Sequence, residues 1–191
     1  MKTKNQIEDY DLIRNANEGD TNAFRQLVYK HKDVSLSLAY SVLKDRTIAE
    51  DVLQDAFIKV FHKLNTFNFK SSFSTWLYRI IVNTSYNELK KRKTNISLDE
   101  DNKDNFLTPI EDKDFMKESD QKRYINIALK QLKPDESLVL RLFYLCELSI
   151  KEIEKVTNFK TSKVKVDLHR GRDNLSFQLK QLLGDDINYL L

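Results

Sequence analysis

Glycine and proline are scarce in this chain, three and two among 191 residues. Tight hairpin turns depend on such residues, so a β-rich fold is excluded and helices are expected. Cysteine is nearly absent. The single Cys146 rules out an intramolecular disulfide and a zinc knuckle. Its apolar helical surroundings read as those of a small core residue. No window approaches the ~18 apolar residues of a membrane span, and Met1 to Glu8 is polar. A soluble, cytoplasmic protein without membrane insertion is expected. His31, His62 and His169 are scattered, with no metal-ligand spacing and no phosphate loop. No metal and no cofactor are expected, and a helical enzyme using Glu50, Asp51 and Asp55 is disfavoured.

What is present supports a folded helical protein. Hydrophobic residues make up 40% of the chain, with 11 phenylalanines and 8 tyrosines, so disorder throughout is excluded. The formal net charge is only +3, but its distribution is uneven. Thr94 to Asp120 holds nine acids and three lysines, which leaves a distinctly basic remainder. A basic body with an acidic connector suits a nucleic-acid binder.

The hydrophobic period divides the chain into two lobes. Residues 9 to 93 read as one helical block. Asp20-Thr21 caps a helix with Phe24, Leu27, Val28, Val34 and Leu38 inward. A second helix begins near Thr47 with an expected buried stripe of Leu53, Phe57, Val60, Phe61 and Leu64. A third runs from about Ser74 to Lys93, with Leu77, Ile80, Ile81 and Thr84 inward. Thr94 to Asp120 has no sustained period and contains Pro109, so it reads as a linker without stable structure, with a short helix near Phe115 to Glu118 as the alternative.

Residues 121 to 183 form the second block. Pro134 suits the first turn of a helix bearing Leu138, Leu142 and Leu145. Ser149 and Glu152 form a capping box, the short helix they start ends near Val156, and Asn158 suits a left-handed turn. A last helix follows from about Thr161, with Val164, Leu168, Leu175, Leu179 and Leu182 inward and Gly184 as its stop. This is a helix-turn-helix. The expected fold is all-α: two helical domains, 1–93 and 121–191, joined by a flexible acidic linker, 94–120.

Three surfaces can carry chemistry. The first half of the last helix crowds Lys160, Lys163, Lys165, His169, Arg170 and Arg172. Such cations at a recognition helix meet phosphates or guanine, although a solvated face of an ordinary helical hairpin has the same composition. In lobe one, Trp76, Arg79, Asn83, Tyr86 and Lys90 fall on one stripe. The loop Phe67-Asn68-Phe69-Lys70-Ser71-Ser72-Phe73 precedes it and Lys90-Lys91-Arg92-Lys93 ends it. Rings flanked by cations are what unpaired DNA requires, and the alternative is that Phe73 and Trp76 are core residues seating the loop. Asp51, Gln54, Asp55 and Ile58 share an outer stripe, which alone reads as a solvated face.

These stretches together resemble a known family. Ala49-Glu50-Asp51-Val52-Leu53-Gln54-Asp55-Ala56-Phe57, Phe73-Ser74-Thr75-Trp76-Leu77-Tyr78-Arg79-Ile80, Asn83 and Leu168-His169-Arg170 occur in the order found in extracytoplasmic-function sigma factors of the sigma-70 family. Residues 9 to 93 resemble region two and 123 to 183 resemble region four. The resemblance implies a transcription initiation factor, not an enzyme. Its partners would be core RNA polymerase, through the β′ clamp helices and the β flap, promoter DNA, and an anti-sigma factor. It assigns Asp51, Gln54, Asp55 and Ile58 to polymerase docking. Phe67, Phe69, Lys70, Ser71, Ser72, Phe73, Trp76, Arg79, Asn83, Lys90 and Arg92 are assigned to the minus-ten element. Lys160, Thr161, Ser162, Lys163, Lys165 and Arg170 are assigned to the minus-thirty-five element. Three positions depart from the family pattern. Asn87 stands where Asp is frequent, Asn158 replaces a turn glycine, and Asp167 replaces a basic residue. Asp167 would be repelled by phosphates but could accept a bond from cytosine. An ordinary helix-turn-helix regulator is the rival, and it leaves the aromatic loop of lobe one unexplained.

Overall fold

A computed structural model describes residues 4–98 and 120–184. Among these residues there are helices and turns but no strand. Lobe one contains α1 (Lys4–Asn17), α2 (Thr21–Leu43), α3 (Arg46–Lys63) and α4 (Phe73–Leu98). Lobe two contains α5 (Asp120–Gln131), α6 (Pro134–Leu140), α7 (Ile150–Thr157) and α8 (Thr161–Leu183). The expected short helix at Phe115 to Glu118 lies outside the described residues.

The caps form where local chemistry demands them. Asp20 accepts hydrogen bonds from the Asn22 and Ala23 amides, satisfying donors that α2 cannot use internally. Asp45 does the same for α3. Pro134 occupies the first turn of α6. Ser149 and Glu152 complete a reciprocal capping box. Asn158 ends α7 at φ 58°, a left-handed geometry that its short polar side chain tolerates. Gly184 ends α8 at φ 55°.

Two expected stripes are corrected. Val60 and Leu64 are buried as expected, but the rest of the buried side of α3 is Ala49, Val52 and Ala56, and Phe61 is 53% exposed. Small alanines let α3 approach α2 and α4 closely, so the bulky Leu53 and Phe57 sit at the margin rather than the centre. In α8, Val164 and Leu168 are buried and Leu175 packs partly against the core, but Leu182 is exposed. The helix α1 begins inside the polar stretch before residue 9 and buries Tyr10 and Ile13. Helix α4 continues past Lys93 to Leu98.

The two lobes pack on each other, an arrangement on which the sequence is silent. Helix α4 lies on α7 and α2 lies on α6. One buried hydrophobic cluster runs through both, from Tyr10 and Leu27 to Leu142 and Leu168. Polar contacts stitch the seam. Lys44, just beyond α2, donates to the Leu129 and Lys130 carbonyls at the end of α5. A cation is favourable at that negative helix end. Burial, aided by the Arg141 charge, lowers the Lys44 pKa to about 8. Arg141 in turn donates to the Ser37 hydroxyl of α2. Burial also lowers the Arg141 pKa to about 10. Cys146 is half-buried at the seam, beside Tyr78 of α4.

Candidate nucleic-acid interface

Asp51, Gln54, Asp55 and Ile58 are all exposed on one outer row of α3. Their spacing of three and four residues puts them on one side, and the alanine stripe anchors the opposite side. Ile58 is an apolar residue left uncovered at the end of this polar row, with Phe61 beyond it. Phe61 is braced edge-on by Phe24 at 5.0 Å.

The aromatic loop divides into a seat and a display. Phe67 is 4% exposed and Phe73 1% exposed, so neither presents a face to a base. They anchor the loop from below. Phe67 lies 5.9 Å from Phe73 and 5.4 Å from Trp76 between ring centroids, and Phe73 packs on His31 at 5.3 Å. Phe69 is 36% exposed and held at φ 59°, an uncommon conformation for an aromatic residue. Phe67 and Tyr10 support its ring from two sides, at 4.9 and 5.0 Å. Asn68 accepts from the Lys70 amide and keeps the turn tight. Lys70 is exposed, and Ser71 and Ser72 are half-buried. Ser72 caps α4 by accepting from the Thr75 amide, and its hydroxyl also bonds those of Ser74 and Thr75.

Helix α1 contributes to this seat, a role the loop sequence did not reveal. The Tyr10 hydroxyl donates to the Ser71 carbonyl at 3.0 Å. Next to it, Asp9 is buried between His31 at 3.1 Å and Lys30 at 2.9 Å. Burial pushes the Asp9 carboxyl up, but bonds and charge from His31 and Lys30 outweigh that and hold it below its ordinary value. The signal was present in the sequence, since Tyr10 and Ile13 have helical spacing.

Helix α4 does not keep its expected stripe on one surface. Trp76 is half-buried at the rim of the seat, Arg79 is exposed and Asn83 is half-buried. Lys90 is exposed and Arg92 half-buried further along. Tyr86 instead turns to lobe two. Its hydroxyl donates to Asp135 Oδ1 at 2.6 Å, and its ring lies 6.1 Å from Phe159. Burial, then the bond to Asp135, pushes the phenol above its ordinary value.

In lobe two, Lys160 at the N-cap of α8 and Thr161, Ser162, Lys165 and Arg170 on its first half are exposed. Thr161 donates its hydroxyl to Glu154 of α7, tying the two helices together. Gly171 allows α6 to approach, since a Cβ there would meet the Leu140 side chain at 3.1 Å. Lys163 departs from this exposed set. Its ammonium is held by Asp135 at 2.7 Å and Asp167 at 2.8 Å, and it lies over the Phe159 ring. Burial lowers its pKa, but the bonds to both carboxylates outweigh this and raise it overall. Asp167 is 8% exposed and directed at Lys163. In this arrangement it is not available to a cytosine, because its carboxylate is already committed inside the fold.

Comparison with known proteins decides the family. Residues 27–94 match Sigma-70 region 2 and residues 123–175 match Sigma-70, region 4. The ECF RNA polymerase sigma factor SigW of Bacillus subtilis is 31% identical over 179 residues, covering 89% of this chain and 96% of its own. This chain belongs to the extracytoplasmic-function sigma factors. The ECF RNA polymerase sigma-E factor of Escherichia coli is also 31% identical, over 189 residues, covering 93% of this sigma factor and 97% of its own length. Among solved structures, the sigma factor RpoE in complex with the anti-sigma factor NepR from Bartonella quintana aligns with a TM-score of 0.68 at 21% identity. It covers 82% of this sigma factor and 96% of RpoE. CnrH in complex with the cytosolic domain of CnrY aligns at 0.61 and 24% identity, covering 91% and 98%. The all-helical fold of two regions is that of sigma factors, and the sigma factor serves promoter recognition and transcription initiation. Among the described residues, no helix is long and apolar enough to cross a membrane.

Proposed function

We propose that the three surfaces divide the work of initiation. The α3 row of Asp51, Gln54, Asp55 and Ile58 docks on the β′ clamp helices of core polymerase. Phe69, Lys70, Ser71 and Ser72, with Trp76, Arg79 and Asn83, take an extruded base and the adjoining single strand of the minus-ten element. Lys90 and Arg92 hold nearby phosphates. Phe67 and Phe73 act as anchors of that loop. In lobe two, Lys160, Thr161, Ser162, Lys165 and Arg170 read the minus-thirty-five duplex, joined by Lys163, while the lobe rests on the β flap. The chain makes and breaks no covalent bond, and it acts in the cytoplasm, where polymerase is. One solved structural neighbour, the sigma factor RpoE, is in complex with an anti-sigma factor. We infer a partner of that class for this chain.

The observation that carries the reading is the display of Phe69 on a buried aromatic seat at the start of α4. A ring raised on a rigid, serine-rich loop next to Lys70 and Arg79 suits base stacking with phosphate neutralisation. The test is permanganate reactivity of thymines in the open complex. Phe69→Ala should abolish minus-ten reactivity while polymerase binding persists. Undiminished reactivity would remove Phe69 from the capture surface.

A further inference from the structure

Two consecutive residues of α1 grip the aromatic loop. Tyr10 spans its length: the ring lies 6.1 Å from Phe67 and meets Phe69 edge-on at 5.0 Å, and the hydroxyl donates to the Ser71 carbonyl at 3.0 Å. Asp9 reaches the last residue of the loop through a neighbour. Its carboxylate pairs with His31 at 3.1 Å, and the His31 ring packs edge-on to Phe73 at 5.3 Å. Both α1 residues are buried, and Ile13, one turn further on, is fully buried and seats the helix on the lobe. Phe69 is held at φ 59°. A bulky residue keeps such a conformation only where its surroundings impose it. Tyr10 supplies two of those constraints, one on the Phe69 ring and one on the chain two residues later. The next residue, Ser72, already caps α4 through the Thr75 amide, so the chain between ring and helix is fixed at both ends.

We propose that Tyr10 is a positioning residue for minus-ten capture: from α1, ahead of the 27–94 span that matches region 2, it holds the Phe69 ring and the Ser71 peptide where an extruded base can stack. At 6% exposure Tyr10 does not itself meet the base and acts through Phe69. The proposal rests on the assignment of Phe69 to base capture made above. It goes beyond that assignment by placing a determinant of capture outside the loop and outside region 2.

The test uses the full chain with core polymerase on a genomic fragment bearing a start site that depends on the chain. Initial promoter binding and the rate of isomerisation to the open complex are measured separately. Tyr10→Phe keeps the ring and removes the hydroxyl. It should leave initial binding unchanged and slow isomerisation roughly three- to tenfold, the contribution of one hydrogen bond. Asp20→Ala is the control for stability. It removes the cap of α2, roughly 15 Å along that helix from His31, and should lower Tm at least as much with no change in isomerisation. Phe69→Leu keeps apolar bulk and loses the stacking face. It should slow isomerisation on its own, and adding Tyr10→Phe should slow it no further, because both act through one ring. Wild-type isomerisation by Tyr10→Phe beside a slow Phe69→Leu overturns the positioning role and leaves base capture standing. Equal slowing by Tyr10→Phe and Asp20→Ala overturns it too, as does slowing that adds in full to that of Phe69→Leu. Wild-type isomerisation by Phe69→Leu removes the capture assignment itself, and the role of Tyr10 with it.

Discussion

Replacing Phe67 by alanine separates two roles that the loop sequence leaves open. A ring that stacks on a base is exposed, and its removal leaves stability nearly unchanged. The Phe67 side chain is instead buried, in contact distance of Tyr10, Phe69, Phe73 and Trp76. Truncating such a ring removes its transfer free energy and leaves a cavity, at about 3–5 kcal/mol. That is a large fraction of the roughly 5–15 kcal/mol that holds a domain together. For a folded region of this size each kcal/mol shifts Tm by about 2–4 °C, so a fall of roughly 6–20 °C is expected. Thermal unfolding followed by circular dichroism measures it directly. Phe69→Ala is the control. It should move Tm little, since its ring is more than a third exposed and its left-handed backbone is strained in either residue. An unchanged Tm for Phe67→Ala would refute the division of the loop into seat and display.

Three further predictions follow from particular contacts. Asp9 has a carboxyl held below its ordinary value of 3.8, so its ionised form contributes stability above that pH and loses it as pH falls through the lowered folded value. Asp9→Asn should therefore lower Tm near neutral pH, and the difference from wild type should shrink in an unfolding series taken below pH 4. Ser149→Ala breaks the capping box of α7 and should cost about 1 kcal/mol, read as faster amide exchange at the head of that helix. Burial pushes the Cys146 thiol up to about 12, and the residue lies at the lobe seam beside Tyr78. Its alkylation by iodoacetamide should be slow in the native chain and fast once urea unfolds it, and equal rates would contradict its burial.

Local chemistry was legible in the sequence, and long-range packing was not. Asp20, Pro134, Ser149 with Glu152, Asn158 and Gly184 each act on atoms within a few residues. Their identities therefore declared the helix boundaries, and the structure follows them. The α3 stripe is legible only in part, at Val60 and Leu64, because bulk is a poor mark of burial where Ala49 and Ala56 allow close helix approach. The exposed α3 row was legible from spacing alone. The loop was recognisable as a unit, but its sorting into buried Phe67 and Phe73 and displayed Phe69 depends on Tyr10 and His31, far away in the chain. The seam was invisible for the same reason. Nothing near Tyr86 in sequence marks Asp135, and only Asp167, four residues on, distinguishes Lys163 from the exposed Lys165.

The central claim is that this chain directs core polymerase to promoters through the α3 row and the two DNA-reading lobes. In vitro transcription with bacterial core polymerase on genomic fragments tests it most directly. Wild-type protein should produce new, specific start sites, and the Asp51→Ala, Gln54→Ala double variant, whose changes lie on the exposed face of α3, should lose them while remaining folded. No protein-dependent start sites, together with no co-migration with core polymerase on a sizing column, would contradict the account.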